Sequence, residues 1–415
     1  MLQKSLLNQR KEVYLLKKKT VLKIIALLFL TIPLVISGKT STNWLGKLHI
    51  SSTRTIDFEL KLELKHNRFK ILLPNGGENI LIAGTKIGDS LRFNFEQYNT
   101  YLIFKMGPKT LAGNWVNLNK KNYRIPFSAS HFKKDDKQTG SYPIINGKYE
   151  TYFDYNNSDK SPGLGIFKQK GNQLSGTFLT ETGDYRYLTG RVKQDSTFAF
   201  GCFDGAHAFW FEGKMKQDSL IGVFYSGTHG YSLFHSHLNN SFKLKDPTKL
   251  TFETSKDAVI NLSALDTANV NTYWNNASFI GKVTIIQIMG TWCPNCMDET
   301  NFLAGLKKRN PSLYIIGFAY EIGNDSIEQL MRLKKYSKQL KLNYPTYLAG
   351  TASKVVAKQH FNFLNEISSF PTTIVLGKDG KIAKIYTGFS GPATGKYFTE
   401  FEKEFSALVE SLDKQ

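Results

Sequence analysis

The sequence predicts a multidomain chain, an all-β region followed by an α/β region, and three observations carry that reading. Apolar residues alternate with polar ones through Ile56, Phe58, Leu60, Leu62 and Leu64, the period of a strand with one buried face. Farther on, turn signals separate short apolar runs roughly every 8–12 residues, the spacing of a sandwich or barrel. Near Asp246-Pro247 the pattern changes, and near-continuous apolar runs begin to alternate with helical periodicity. The expected divisions are 1–38, 44–245 and 246–415, and a chain of 415 residues is long enough for two or three domains.

Residues 1–38 read as a signal peptide or an N-terminal membrane anchor. Lys17, Lys18 and Lys19 precede thirteen uncharged residues, Ile24 to Ile36, and the run ends at Ser37-Gly38-Lys39. A basic stretch before a short apolar core is the pattern of a secretory signal. If it stays uncleaved, residues 20–38 form a marginal single anchor with the basic side in the cytoplasm. Either way the remainder of the chain is expected in the periplasm or cell envelope. No cysteine follows the apolar run, so lipid attachment at a processed cysteine is excluded.

From Trp44 to Lys245 the chain reads as a sandwich or barrel. Strands are expected at Gly165–Gln169, Leu174–Thr180, Tyr185–Val192, Phe198–Phe203, His207–Phe211 and Leu220–Tyr225, punctuated by Gly171-Asn172, Gly183-Asp184 and Gln194-Asp195. The 30 Phe and 20 Tyr suit such strands, because flat side chains pack well on a pleated surface. There is also an internal echo. Asp89-Ser90 with Leu91, Phe93 and Phe95, then Leu111 to Trp115, matches Asp195-Ser196 with Phe198 and Phe200, then Leu220 to Phe224. A duplicated β-meander is the expectation it raises.

Beyond Asp246, Val283–Met289 and Tyr314–Ala319 are expected to be buried strands, and Asp325–Leu340 a helix. Thr372–Leu376 and Ile382–Tyr386 flank the hairpin signal Lys378-Asp379-Gly380, and Lys396–Leu412 closes the chain as an amphipathic helix.

The net charge of +20 comes from lysines scattered through the chain, seven basic residues lying before Ile24. No basic stripe interleaved with aromatics stands out, so no nucleic-acid partner is expected. The three cysteines, Cys202, Cys293 and Cys296, are too few for a disulfide scaffold.

Trp292-Cys293-Pro294-Asn295-Cys296 follows a predicted buried strand and opens a helix, the context in which C-x-x-C is redox-active. At a helix N-terminus, free N–H groups and the dipole stabilise a thiolate. Cys293 is therefore the expected exposed nucleophile, and Cys296, one turn in, the buried resolving thiol. Zinc would need further ligands, and His360 is the only histidine of this region. The reading calls for no metal and no cofactor.

Gly290-Thr291-Trp292-Cys293-Pro294-Asn295-Cys296, with Phe370-Pro371-Thr372-Thr373 downstream, resembles the thioredoxin superfamily, and within it the TlpA-like disulfide reductases. The resemblance implies a thioredoxin-like domain over 246–415, with Pro371 cis and facing the cysteines, where it helps receive a substrate backbone. It lends supporting roles to Trp292, Pro294 and Glu299. Some family members carry an acidic residue at the position of Glu299, where it modulates the cysteine pKa values. Thioredoxin itself has a buried aspartate where this chain has Gln287. Cys202-Phe203-Asp204-Gly205-Ala206-His207 and the loop Thr387–Gly395 are similar to segments of two-domain TlpA-like proteins of Bacteroidota.

The expected activity is thiol–disulfide exchange on disulfide-bearing envelope proteins or apocytochromes, with an upstream thiol electron donor. Oxidants and reductants share this motif, and direction follows from the reduction potential. A thiol peroxidase is the first alternative. Its Thr-x-x-Cys spacing is matched by neither cysteine, since Thr291 precedes them by two and five residues. The second alternative is a binding module whose β region captures a glycan or peptide. Cys202 reads as a small buried hydrophobe. His235, His237 and nearby His229 are a candidate metal group, and Glu321, at a strand end, a candidate neighbour of the cysteines.

Overall fold

The first eight strands, with alternating buried and exposed residues, close into a barrel. The computed structural model describes residues 40–132, 140–158, 160–255 and 259–415. The expected signal segment, 1–38, lies outside these residues. Eight antiparallel strands between Thr40 and His131 form the closed barrel, the first (Thr40–His49) pairing with the last (Tyr123–His131). Ile56, Leu60, Leu62, Phe93, Leu102, Phe104 and Phe127 are buried, as one face of a two-residue period requires. Closure removes the unpaired edges that an open sheet would expose.

A second ring follows. The strands from Gly147 to Leu238 form a nine-stranded sheet in which Ser161–Lys170 pairs on one side with Gly147–Phe153 and on the other with Gln173–Thr180. That double pairing closes eight strands and leaves the two-residue strand Gly183–Asp184 outside the ring. Aromatic rings fill its core, among them Tyr149, Phe153, Phe167, Phe178, Phe200, Phe211 and Phe234. The two segments of the sequence echo occupy strands five to seven of each ring, 90–117 in the first and 197–226 in the second.

One expected strand is broken. Tyr185–Val192 is not continuous: regular pairing stops at Asp184 and resumes at Leu188. Between them Arg186 takes left-handed backbone, φ 57°, and its N–H is held by Asp184 Oδ1 at 2.6 Å. A side chain that captures a nearby N–H competes with the ladder.

The C-terminal part is a seven-stranded sheet with helices on its faces. Thr284–Met289 lies at its heart, parallel to Tyr314–Glu321 and antiparallel to Thr372–Leu376. Thr346–Thr351 continues the parallel side, and Ile382–Thr387 forms the far edge. Successive residues of the central strand serve opposite faces. Ile285 packs with Phe302 and Leu306 of helix α1 (Pro294–Arg309) and with Phe405 and Val409 of helix α4 (Lys396–Lys414). Ile286 and Ile288 pack instead with Phe318, Phe361 and Ala357 of helix α3 (Lys354–His360). Helix α2 (Ser326–Gln339) adds Leu330, Leu333 and Tyr336 beside the cysteines, and Asp325 caps it. A strand buried on both faces reads as an unbroken apolar run, which is why this part was legible.

Ser41–Glu63 and Arg68–Gln415 form one compact unit. The hairpin tip Leu64–Asn67 falls in a second, and there His66 and Asn67 take left-handed backbone. Among the described residues no helix is long and apolar enough to cross a membrane.

Candidate active site

The central strand ends at Met289, and Gly290–Trp292 turns the chain into α1, which starts at Pro294 with Cys293 as its N-cap. Proline suits that first position, where its missing N–H would be unpaired anyway. The Cys296 backbone N–H donates to Cys293 Sγ at 3.3 Å, as a capping side chain requires. Cys296 is fully buried and Cys293 is 8% exposed. Cys293 is thus more enclosed than expected, packed in one cluster with Ala319, Trp292 and Phe370. Burial pushes the Cys296 thiol well above its ordinary value, and the adjacent Cys293 sulfur acts in the same direction. Both are free thiols.

The motif is held from behind. Thr291 donates its N–H and its hydroxyl to the two oxygens of Glu321, at 2.8 and 2.7 Å. Trp292 Nε1 donates to the carbonyl of Tyr320 at 2.9 Å, and its ring meets Phe370 edge-on at 5.8 Å. Glu321 therefore fixes the turn that delivers the cysteines. The Phe370–Pro371 peptide is cis, and the Phe370 carbonyl accepts from Cys293 Sγ at 3.6 Å.

Glu299 lies on α1 one turn beyond Cys296 and is buried, not at the surface. Gln287 Nε2 donates to Glu299 Oε2 at 2.8 Å and to the Cys296 carbonyl at 3.3 Å. Thr373 donates its hydroxyl to Glu299 Oε1 at 2.7 Å. Burial pushes the Glu299 carboxyl up to about 7, against the pull of these two donors. Gln287 was legible only as a missing aspartate. In three dimensions its side chain links the carboxyl to the backbone of the second cysteine.

The barrels reach the motif through a buried arginine. Arg186 is 2% exposed by side chain and lies between carboxylates from three parts of the chain. Its Nη2 donates to Glu78 of the first barrel at 2.9 and 3.0 Å. Its Nη1 donates to Asp298 of α1 at 2.6 Å and to the Pro294 carbonyl at 3.3 Å. Its Nε lies 3.3 Å from Asp204 Oδ2 without hydrogen-bond alignment. Burial disfavours a charged Asp204, but His207 and Arg186 outweigh it and hold this carboxyl at about 2. Burial pushes Asp298 up to about 7 despite Arg186.

The same loop touches the motif by its backbone. Asn295 Nδ2 donates to the Asp184 carbonyl at 3.2 Å, and Ser369 Oγ to that of Thr182 at 3.0 Å. A Cβ at Gly183 would lie 2.2 Å from Asn295 Nδ2, and one at Gly388 would lie 2.4 Å from Thr182 backbone, so both glycines permit the approach. From the first barrel, Tyr98 OH donates to Met297 Sδ at 3.3 Å.

Other candidates fall elsewhere. Cys202 is buried in the second barrel, where Asn75 Nδ2 donates to its sulfur at 3.2 Å. His235 and His237 are 6.5 Å apart by ring centre, and His237 pairs with Glu150 at 3.1 Å. His229 contacts Lys120, Tyr123 and Ser226 instead. Among the described residues no group of three or more His, Cys, Asp or Glu could hold a metal ion.

The mixed sheet, its flanking helices and a Cys-x-x-Cys helix start facing a cis-proline settle the fold of this part. The C-terminal part has a thioredoxin-like fold. Thiol-disulfide oxidoreductase ResA of Bacillus subtilis (strain 168) is 28% identical over 108 residues, which are 26% of this chain and 54% of that protein. The chain thus spans about half the length of this curated relative. A thioredoxin-family thiol:disulfide interchange protein of Chlorobium tepidum TLS aligns over 39% of this chain and 99% of its own, at 20% identity and a TM-score of 0.29. A secreted thiol-disulfide isomerase of Corynebacterium glutamicum covers 41% and 98%, at 17% identity and a TM-score of 0.30. No family model matches the chain. The chain is thus similar to thiol–disulfide oxidoreductases over part of its length.

Proposed function

We propose that this chain is an exported thiol–disulfide oxidoreductase in which Cys293 attacks and Cys296 resolves. The observation that carries the reading is Cys293 at the N-cap of α1, its sulfur receiving the Cys296 N–H at 3.3 Å opposite the Phe370 carbonyl. Capping sets that sulfur at the open end of the helix, while Cys296 lies covered one turn in.

The Cys293 thiolate attacks one sulfur of a client disulfide. The client S–S bond breaks, a new S–S bond joins Cys293 to the client, and the other client sulfur leaves as thiolate. Cys296 then loses its proton and attacks the Cys293 sulfur, releasing the second client thiolate and leaving a Cys293–Cys296 disulfide. Burial opposes ionisation of Cys296, so this step needs a proton acceptor. Glu299, with a carboxyl pushed up to about 7 and close enough to raise the Cys296 thiol further when charged, is the acceptor we assign. An acceptor titrating near the working pH is the efficient one. An upstream thiol donor restores the dithiol. Clients are disulfide-bearing proteins of the envelope, apocytochromes among them, and the site of action is the periplasm or cell envelope.

The test is turnover of a disulfide substrate by single-cysteine variants of the full chain. Cys293→Ser and Cys296→Ser should each abolish catalytic turnover, and Cys202→Ala should preserve it. In the reduced protein, mild alkylation should label Cys293 before Cys296. The reverse order, or turnover without Cys293, would end this reading.

A further inference from the structure

Beside Trp292 lies a cavity of about 230 Å³, bordered by Tyr98, Trp115, Lys120, Tyr123 and His229. A larger cleft of about 2020 Å³ between the barrels and α4 includes neither cysteine nor Trp292. The small cavity is built from all three sheet systems, and one wall is the residue that precedes the proposed nucleophile.

One buried donor on its wall lacks an acceptor. Trp115 is 2% exposed, and its indole N–H has no hydrogen-bond partner. Buried donors are costly to leave unpaired, so one that borders a cavity marks a place for an acceptor. Lys120 borders the cavity, its ammonium 4.9 Å from the centre of the Tyr123 ring and 3.3 Å from His229 Nδ1. Among the described residues no carboxylate lies within ion-pair distance of it. Tyr123 OH contacts His229 Nδ1 at 3.2 Å, which joins the cation, the phenol and the imidazole into one patch. The chain carries a net charge of +20, so anionic segments are attracted to it. The volume lies below the roughly 300–1,000 Å³ of small-molecule pockets and suits one side chain of a polypeptide.

We propose that this cavity receives the carboxylate of an aspartate or glutamate flanking the disulfide of a client polypeptide. The proposal rests on the exchange reaction above and deepens it by assigning the client an acidic neighbour to its cysteine. With the carboxylate between Lys120 and the Trp115 N–H, the adjoining sulfur is brought past Trp292 toward Cys293.

The experiment uses the full chain and two disulfide-linked peptides that differ only in Glu or Gln beside the cysteine. The Glu peptide should show a kcat/KM on the order of tenfold higher, the size of a charge-assisted hydrogen bond. In Lys120→Gln that ratio should fall to near one. In Lys403→Gln, on exposed α4, it should persist. Each ratio is taken within one protein, so loss of folded material cancels. Equal rates for the two peptides in the unmodified chain, or a Glu preference that survives Lys120→Gln, would overturn the proposal. Glutathione disulfide serves as the small-molecule source of carboxylate. If Lys120→Gln slows it as strongly as the Glu peptide, the polypeptide assignment is overturned; if it is slowed little, the assignment stands. Absence of turnover with all three disulfides would instead sink the exchange reaction, and this proposal with it.

Discussion

Glu299 shows how one buried carboxyl ties stability to pH. Its pKa is raised by burial from an ordinary 4.5 to about 7. The folded chain therefore holds this proton more tightly than the unfolded chain. The resulting stabilisation is full below about pH 4.5 and is lost as pH rises through 7. The shift corresponds to about 3 kcal/mol. Denaturant unfolding of the parent chain and Glu299→Gln at pH 4.5 and 8 checks this. The stability of the parent relative to the variant should fall by on the order of 3 kcal/mol between those pH values, and a constant difference would contradict it. Turnover of Glu299→Gln should also fall, with rescue by Glu299→Asp weaker than full because the shorter side chain lies farther from Gln287. Glu299 was legible through the family resemblance, which places an acidic residue three positions after Cys296. Its partners Gln287 and Thr373 were not, because hydrogen bonding across neighbouring strands leaves no trace in local pattern.

The loop from Thr180 to Leu188 carries the connection between the barrels and α1. Its turn signal, Gly183-Asp184, was visible in the sequence, but the strand expected after it breaks at Arg186. No alternation of apolar residues marks that break. It is made by Asp184 capturing the Arg186 N–H and by three carboxylates drawn from positions 78, 204 and 298. Removing the cation would leave Asp204, which is 1% exposed, without this ion partner, and the two partly buried carboxylates facing it. Arg186→Met should therefore destabilise the chain by about 3–5 kcal/mol, the usual cost of breaking a buried ion pair from one side, measured by urea unfolding. Arg186→Lys should recover only part of that loss, since a point charge cannot serve Glu78 and Asp298 in two directions. A loss below about 1 kcal/mol, the value of an exposed pair, would show that the network carries little stability. The central strands and α1 were legible for the opposite reason. A strand buried on both faces, or a helix opened by Cys-Pro, declares itself in a few consecutive residues.

Across the whole molecule, two closed barrels precede a thioredoxin-like part. The sequence distinguished all-β from α/β and left sandwich or barrel open. Closure depends on pairings such as Leu48 with Phe127, far apart in sequence, which period-two alternation does not encode. The barrels supply Tyr98, Trp115, Lys120, Tyr123 and His229 beside Trp292. A fragment beginning near Leu250 should consequently keep exchange activity toward neutral disulfides and lose the preference for the Glu-flanked peptide. A preference retained by that fragment would place client selection in the thioredoxin-like part alone. Exchange by this chain depends on Cys293 forming the bond to the client. It is tested most directly by exposing Cys296→Ser to a disulfide-bearing protein and mapping the trapped adduct by mass spectrometry. A stable mixed disulfide at Cys293 is expected, absent when Cys293 is also replaced by Ser. An adduct at Cys202, or none at all, would contradict it.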